Sequence, residues 1–166
     1  HIENFENSSK LLEELLNNSR VEVEKLLEIK NKTYKNFVLP FAEIGEKINE
    51  FITPIFHLDS VKNSKITSKV YEECLPLISK YESEISQNEN IYTSFKNIQS
   101  NEKSTLNNIQ LKVLENEIRD FELSGCQLEN NKKQRLEEID LALGELSHKF
   151  SQNILEATNS FSLDRK

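Results

Sequence analysis

Glycine and proline are scarce in this chain, with three of each in 166 residues. That is too few for the turn density of an all-β sandwich or barrel, and the long polar-apolar segments between them favour helices. Methionine is absent even at position 1, so the chain is expected to be a segment of a longer polypeptide. The two cysteines, Cys74 and Cys126, lie far apart and each sits beside apolar residues, a setting that suits buried reduced thiols better than a disulfide and fits a cytoplasmic protein. No apolar run approaches the ~18 residues of a membrane span, and the N-terminus lacks the basic and apolar regions of a signal peptide. Basic residues are outnumbered, 21 Lys and Arg against 28 Asp and Glu, for a net charge of −7, which argues against binding nucleic acid or anionic lipid. The one basic cluster, Lys132-Lys133-Gln134-Arg135, runs straight into Glu137 and Glu138 and reads as a solvated helix start.

What the chain does have is helical period. Leu12, Leu15, Leu16, Val23, Leu26 and Leu27 form one stripe of a first helix from Ser8 to about Lys30. Phe41, Ile44, Ile48, Phe51, Ile52 and Ile55 form a second, with Pro40 tolerated in its opening turn and Pro54 expected to kink or end it near His57. A third helix is predicted over about Lys65 to Ile98, carrying Val70, Cys74, Leu77, Ile78, Tyr81, Ile85, Ile91, Tyr92, Phe95 and Ile98, with Pro76 bending it. A fourth holds Leu106, Ile109, Val113, Leu114, Ile118 and Phe121, and Gly125 suits the left-handed position that closes it. The last, from about Asn131 to Phe161, repeats Leu136, Ile139, Leu143, Leu146, Phe150 and Ala157 at near-heptad spacing, with Asn153 as the polar member, and should pack lengthwise against a neighbour. The pattern predicts an all-α fold: an elongated antiparallel bundle of about five long helices forming a single domain over 1–166.

Candidate chemistry is thin. The only histidines are His1, His57 and His148. Glu145 and His148 share a helical face at the spacing of di-iron bundles, but the second such pair and the two further Glu are missing, so a surface pair is expected. His57 is placed to cap the end of the second helix as a structural residue. Glycine-rich phosphate loops, a Gly-x-Ser-x-Gly elbow and the His-Glu-x-x-His zinc motif are all absent. Neither cysteine has an electropositive setting that would make it a nucleophile. Arg119 and Asp120, adjacent on a helix, should not pair, whereas Glu115 and Arg119 at i,i+4 should. Tyr71, Tyr81, Tyr92, Phe95, Phe121 and Phe150 read as core packing. The sequons at Asn7, Asn17 and Asn31 are within chance for an Asn-rich chain. No catalytic, cofactor-binding or metal residue is assigned.

Several stretches carry a resemblance. Thr33-Tyr34-Lys35-Asn36-Phe37-Val38-Leu39-Pro40 opens it, followed by Pro54-Ile55-Phe56-His57-Leu58-Asp59-Ser60-Val61-Lys62-Asn63 and by Tyr71-Glu72-Glu73-Cys74-Leu75-Pro76-Leu77-Ile78-Ser79-Lys80-Tyr81. Gln87-Asn88-Glu89 and Leu114-Glu115-Asn116-Glu117-Ile118-Arg119-Asp120-Phe121-Glu122-Leu123-Ser124-Gly125 come next. Gln134-Arg135, Glu145-Leu146-Ser147, Phe150 and Asn153-Ile154-Leu155-Glu156-Ala157-Thr158 close it. In this order they resemble the N-terminal helical region of thimet-oligopeptidase-type zinc metallopeptidases, most nearly the bacterial members.

The resemblance implies an almost wholly helical peptidase of two halves flanking a deep channel, with zinc and its ligands in the later half. These residues would then wall the channel, admit short peptides, and take no part in the chemistry. It implies zinc as the cofactor of the parent and none in this segment. The partners implied are the catalytic half of the parent chain and, in the parent, short peptide substrates. Helices cut from such a partner should leave apolar side chains uncovered, and Phe51, Ile55, Phe150, Ile154 and Phe161 are the expected ones. They should be partly exposed or covered by a neighbouring copy in a weak homodimer. A non-enzymatic helical interaction module is the alternative reading.

Overall fold

The computed structural model describes residues 2–62 and 64–161. Among them are six α-helices: α1 (Ser8–Leu27), α2 (Leu39–Lys62), α3 (Lys65–Ser86), α4 (Glu89–Glu102), α5 (Asn108–Leu123) and α6 (Asn130–Ser160), with a short 3-10 turn ahead of α1 and a wide turn over Tyr34–Val38 ahead of α2. No described residue forms a strand. The fold is all-α, as the period requires.

Polar caps, rather than glycine or proline, set most of the boundaries. The Ser64 N–H donates to Thr67 Oγ1 at 2.8 Å while the Thr67 N–H donates to Ser64 Oγ at 3.2 Å, starting α3. Asn107 and Gln110 make the same reciprocal pair ahead of α5, and Thr33 and Asn36 ahead of the wide turn. Each satisfies donors that a helix start would otherwise leave unpaired. α1 ends at Leu27 rather than near Lys30. Lys32 Nζ reaches back to donate to the carbonyls of Leu27 and Ile29 at 2.8 and 2.9 Å, which closes that end.

Two further predicted boundaries are corrected. The long third helix is two, α3 and α4, because Asn88 accepts from the N–H groups of Asn90 and Ile91 and begins a new helix. α2 does not end near His57 but runs through Pro54 to Lys62. Pro54 is exposed, and so is Glu50, four residues back, whose carbonyl the proline leaves without a backbone donor, so that turn is open to solvent. His57 is therefore an exposed mid-helix residue and caps nothing; its own carbonyl accepts from Ser60 Oγ.

α1 packs on α2 and α3, α2 on α3, and α4 on α5, while α6 lies along α3. The core draws on every helix but α6: Leu12, Leu16 and Val23 from α1, Ile44, Ile48, Ile52 and Ile55 from α2, Val70, Cys74 and Ile78 from α3, and Ile91, Phe95, Ile98, Leu114 and Phe121 from α4 and α5. Ile55 is thus buried, against the expectation of an uncovered face there, and Phe51 is half-buried on the core. Of the six aromatics expected inside, Tyr81, Tyr92, Phe95 and Phe121 are buried, Tyr71 is half-buried, and Phe150 is two-thirds exposed at 66%. Arg119 Nη2 does pair with the neighbouring Asp120 carboxylate at 3.0 Å, and Glu115 pairs with Lys112 instead. Both side chains of the first pair are exposed, so the guanidinium is free to fold sideways along the helix surface.

Candidate functional site

Among its described side chains α6 has none fully buried, and it is held by one face. Gly144 lies against Leu75 of α3, where a Cβ would make ordinary contact with Leu75 Cδ1 at 3.4 Å. One turn on, a closed ring of polar groups ties three helices together. The Ser68 hydroxyl of α3 donates to Asp59 Oδ1 of α2 at 2.9 Å. Gln152 Nε2 of α6 donates to Ser68 Oγ at 3.1 Å and lies 2.9 Å from His148 Nε2. His148 Nδ1 completes the circuit 3.6 Å from Asp59 Oδ2. The Tyr71 ring stacks on the imidazole with centroids 3.9 Å apart and packs against Phe56 on its other side at 4.4 Å.

The chemistry of this ring follows from its donors. An amide nitrogen carries only hydrogens, so with Gln152 in this orientation His148 Nε2 accepts and Nδ1 holds the proton facing Asp59. The Asp59 side chain is only 5% exposed, which for a carboxylate is sustainable because both oxygens face donors. Burial, and then the Asp59 charge, raise the Tyr71 hydroxyl above its ordinary value, so it stays protonated at neutral pH. Beside the ring opens a cleft of about 420 Å³, lined by Phe56, Ser60, Ile154 and Leu155 as well as ring members. A second, of about 460 Å³, lies on the far side of His148 between Glu72, Pro76, Glu145 and Lys149. Asp59 Oδ1 is bonded by Ser68, His148 Nε2 faces Gln152, and His148 Nδ1 lies 3.6 Å from Asp59 Oδ2, an arrangement that suits a clamp better than an acid-base centre. His148→Leu is expected to lose about 1–3 kcal/mol, because it strands a Gln152 N–H and an Asp59 oxygen. Hydrogen exchange should show α6 opening first; unchanged protection of α6 would contradict the clamp.

The expected surface pair of Glu145 and His148 is not what forms: Glu145 is exposed while the His148 side chain is 9% exposed and turned to Asp59. A signal for this was present in the sequence. Asp59 falls on the same register as Ile44, Ile48, Ile52 and Ile55, so a charged residue occupies a core position and needs buried partners. His1 lies outside the described residues.

Both cysteines are buried free thiols. Burial, with a smaller contribution from Glu73, pushes Cys74 up to about 11, and burial also raises Cys126, so neither is a thiolate nucleophile at neutral pH. A shallower groove of about 250 Å³ lies among Phe41, Tyr81, Ile85 and Phe121, with the carboxyls of Glu82 and Glu117 at its rim, both raised by burial. Among the described residues, no three His, Cys, Asp or Glu side chains converge as a metal site requires, and the one His–Asp contact is closed into the ring. These residues do not fit a zinc centre. No described helix is long and apolar enough to cross a membrane.

Comparison with known proteins gives this six-helix domain a family. The model for the neurolysin/thimet oligopeptidase N-terminal domain matches residues 12–133. The chain belongs to that family. Its relatives include oligopeptidase A of Haemophilus influenzae, 38% identical over 89% of this chain and 22% of the relative, and oligopeptidase A of Escherichia coli, 38% identical over 86% and 21%. A probable cytosolic oligopeptidase A of Arabidopsis thaliana is 31% identical over 89% of the chain and 21% of its own length. The chain thus spans about a fifth of the relatives it matches. Within the thimet oligopeptidase N-terminal family, the match covers α2 to α5 whole and stops just inside α6.

Proposed function

We propose that this chain is the N-terminal, non-catalytic part of a zinc-dependent oligopeptidase that hydrolyses short peptides in the cytoplasm. Its helices serve as a wall of the substrate channel, and a later half of the parent supplies the zinc and the catalytic residues. The observation that carries this reading is the family match over 12–133, joined to relatives that are called oligopeptidases and of whose length this chain covers about a fifth. The ring at Asp59 and His148 supports a structural role, because it fixes the place of α6 on α3 without leaving a reactive group free. In the parent, zinc would polarise the scissile carbonyl and activate water; residues 1–166 would shape access to it.

Two measurements test this. Chelator-washed chain should retain no stoichiometric zinc by elemental analysis and should cleave no short peptide, whereas the parent polypeptide is expected to hold zinc and to cleave. One tightly held zinc per chain would overturn the assignment of chemistry to the other half. Reading the parent frame should reveal a His-Glu-x-x-His several hundred residues beyond Lys166. A stop codon soon after Lys166 would instead favour a helical interaction module, the reading to which the uncovered stripe of α6 lends support.

A further inference from the structure

The shallow groove between the ends of α3 and α5 holds two carboxylates that no described residue neutralises. Its floor is Phe41, Tyr81, Ile85 and Phe121, with Glu82 and Glu117 at the rim. As residues Glu82 is exposed and Glu117 half-buried, yet burial raises both carboxyls above the ordinary carboxylate range, with a smaller push from Asp120 on Glu117. Each has therefore lost part of its water. Two cations beside the groove are already engaged. Arg20 lies over the Tyr81 ring at 5.3 Å but gives its Nε to Glu84 at 2.7 Å, and Arg119 bonds Asp120 at 3.0 Å. Among the described residues, neither Glu82 nor Glu117 has an ion pair or a hydrogen bond. A carboxylate that has given up water without gaining a cation is costly, so the groove is built for a positive group it does not itself contain.

We propose that this groove seats an arginine side chain from the part of the parent polypeptide outside these 166 residues, with its guanidinium on Glu82 and Glu117 and its stem on Phe41 and Phe121. Aromatic faces beside carboxylates suit a guanidinium, which stacks and pairs at once, whereas a compact ammonium would pair and leave the rings unused. At about 250 Å³ the groove is smaller than the roughly 300–1,000 Å³ of small-molecule sites and fits one long side chain. The assignment rests on reading this chain as part of a larger peptidase, and two facts favour the parent as the source. The chain covers about a fifth of its relatives, so most of the parent is available to supply the residue. This segment also carries 28 acidic against 21 basic residues, so a complementary surface has to be basic. A tethered side chain reaches the groove at an effective concentration that a dissolved cation does not match.

Carbodiimide coupling of glycine ethyl ester, read by peptide mass spectrometry, tests this on the 166-residue chain and on the full parent. Both carboxyls should react in the chain. In the parent each should react about 10-fold more slowly, the protection given by a seat filled about nine-tenths of the time. Capping the parent's arginines with phenylglyoxal should restore the reaction, and acetylating its lysines should not. Glu82→Gln with Glu117→Gln should leave the melting temperature of the chain unchanged or raise it, because two unpaired charges are removed, and should lower that of the parent. Equal reaction in chain and parent, or a melting change of the same sign in both, would overturn the proposal. Protection that survives phenylglyoxal would give the groove an apolar roof, and protection that appears only on adding a basic peptide would give it to a substrate; either result also overturns it. Zinc content and peptide cleavage of the same parent samples keep the two readings apart. A parent that holds zinc and cleaves while both carboxyls react freely defeats the arginine seat alone, and a parent without either that still protects them defeats the peptidase reading alone.

Discussion

Phe95→Ala is expected to cost the domain about 3–5 kcal/mol, the range for removing a buried aromatic ring from a core that collapses only in part. Phe95 is 1% exposed and stands at the junction of α2, α4 and α5. Its ring meets Phe37 edge-on at 5.7 Å, Phe41 edge-on at 5.5 Å, and Phe121 at 5.7 Å. Edge-to-face contacts add to area burial, so the loss combines transfer, cavity and aromatic terms. A domain of this size has only about 5–15 kcal/mol of stability to begin with, and the variant should sit close to the edge of unfolding at 37 °C. Phe150→Ala is the internal control, because Phe150 lies on an equally regular stripe but is two-thirds exposed. Measured by urea unfolding at low protein concentration, it should change the midpoint little. Equal losses for the two would contradict the placement of the core on α4 and not on α6.

The contrast between these two phenylalanines marks the limit of what periodicity tells. Period alone identifies a helix with a preferred face, and it located α1, α2 and α5 and every helix's apolar stripe. It does not say whether a stripe is covered. α6 has two periodic faces: Leu136, Ile139, Leu143, Leu146 and Phe150 look like the buried one, but Gly144, His148 and Gln152 are what α3 receives. A glycine and two polar residues carry no hydropathy signal, although they supply contact and hydrogen bonding, which is how this helix is fixed.

Punctuation was misread for a related reason. Proline looks like a breaker, yet Pro54 sits inside a continuous helix on an exposed turn, where solvent can take the freed carbonyl; Pro76 lies inside α3, within the helix as expected. Asn88 looks like one polar residue among many, yet its side chain ends the run that Tyr81, Ile85, Ile91 and Tyr92 share. Caps are decided by a side-chain oxygen reaching an N–H two or three residues on, a local geometry the alternation of apolar residues does not encode. The ring at Asp59 was hidden in the same way: its members lie on three helices, and only the charged residue at a core register hints that they converge.

Gly125→Val is expected to destabilise by about 2–3 kcal/mol, and here sequence and structure agree on the cause. Gly125 follows the end of α5 at φ +75°, the only described residue with positive φ. Its N–H donates to the Glu122 carbonyl, and the Cys126 N–H reaches the Phe121 carbonyl at 3.1 Å, so the left-handed turn closes the helix end and buries Cys126. A β-branched residue in that conformation costs roughly 1–3 kcal/mol in backbone strain. Space adds to it, because a Cβ would lie 2.6 Å from Leu128 Cδ1 and 3.0 Å from Leu136 Cδ2. Leu128 is partly exposed and can yield, which keeps the total below that of a rigid clash. At about 2–4 °C per kcal/mol for a domain of this size, the melting temperature should fall by about 4–12 °C. Gly45→Ala supplies the opposite sign: Gly45 lies inside α2, nothing comes within 4 Å of its would-be Cβ, and the added methyl should stabilise by about 0.5–1 kcal/mol. If Gly125→Val melted at the temperature of the unaltered chain while Gly45→Ala still rose, the left-handed turn after α5 would be wrong, and with it the path that carries the chain from α5 into α6.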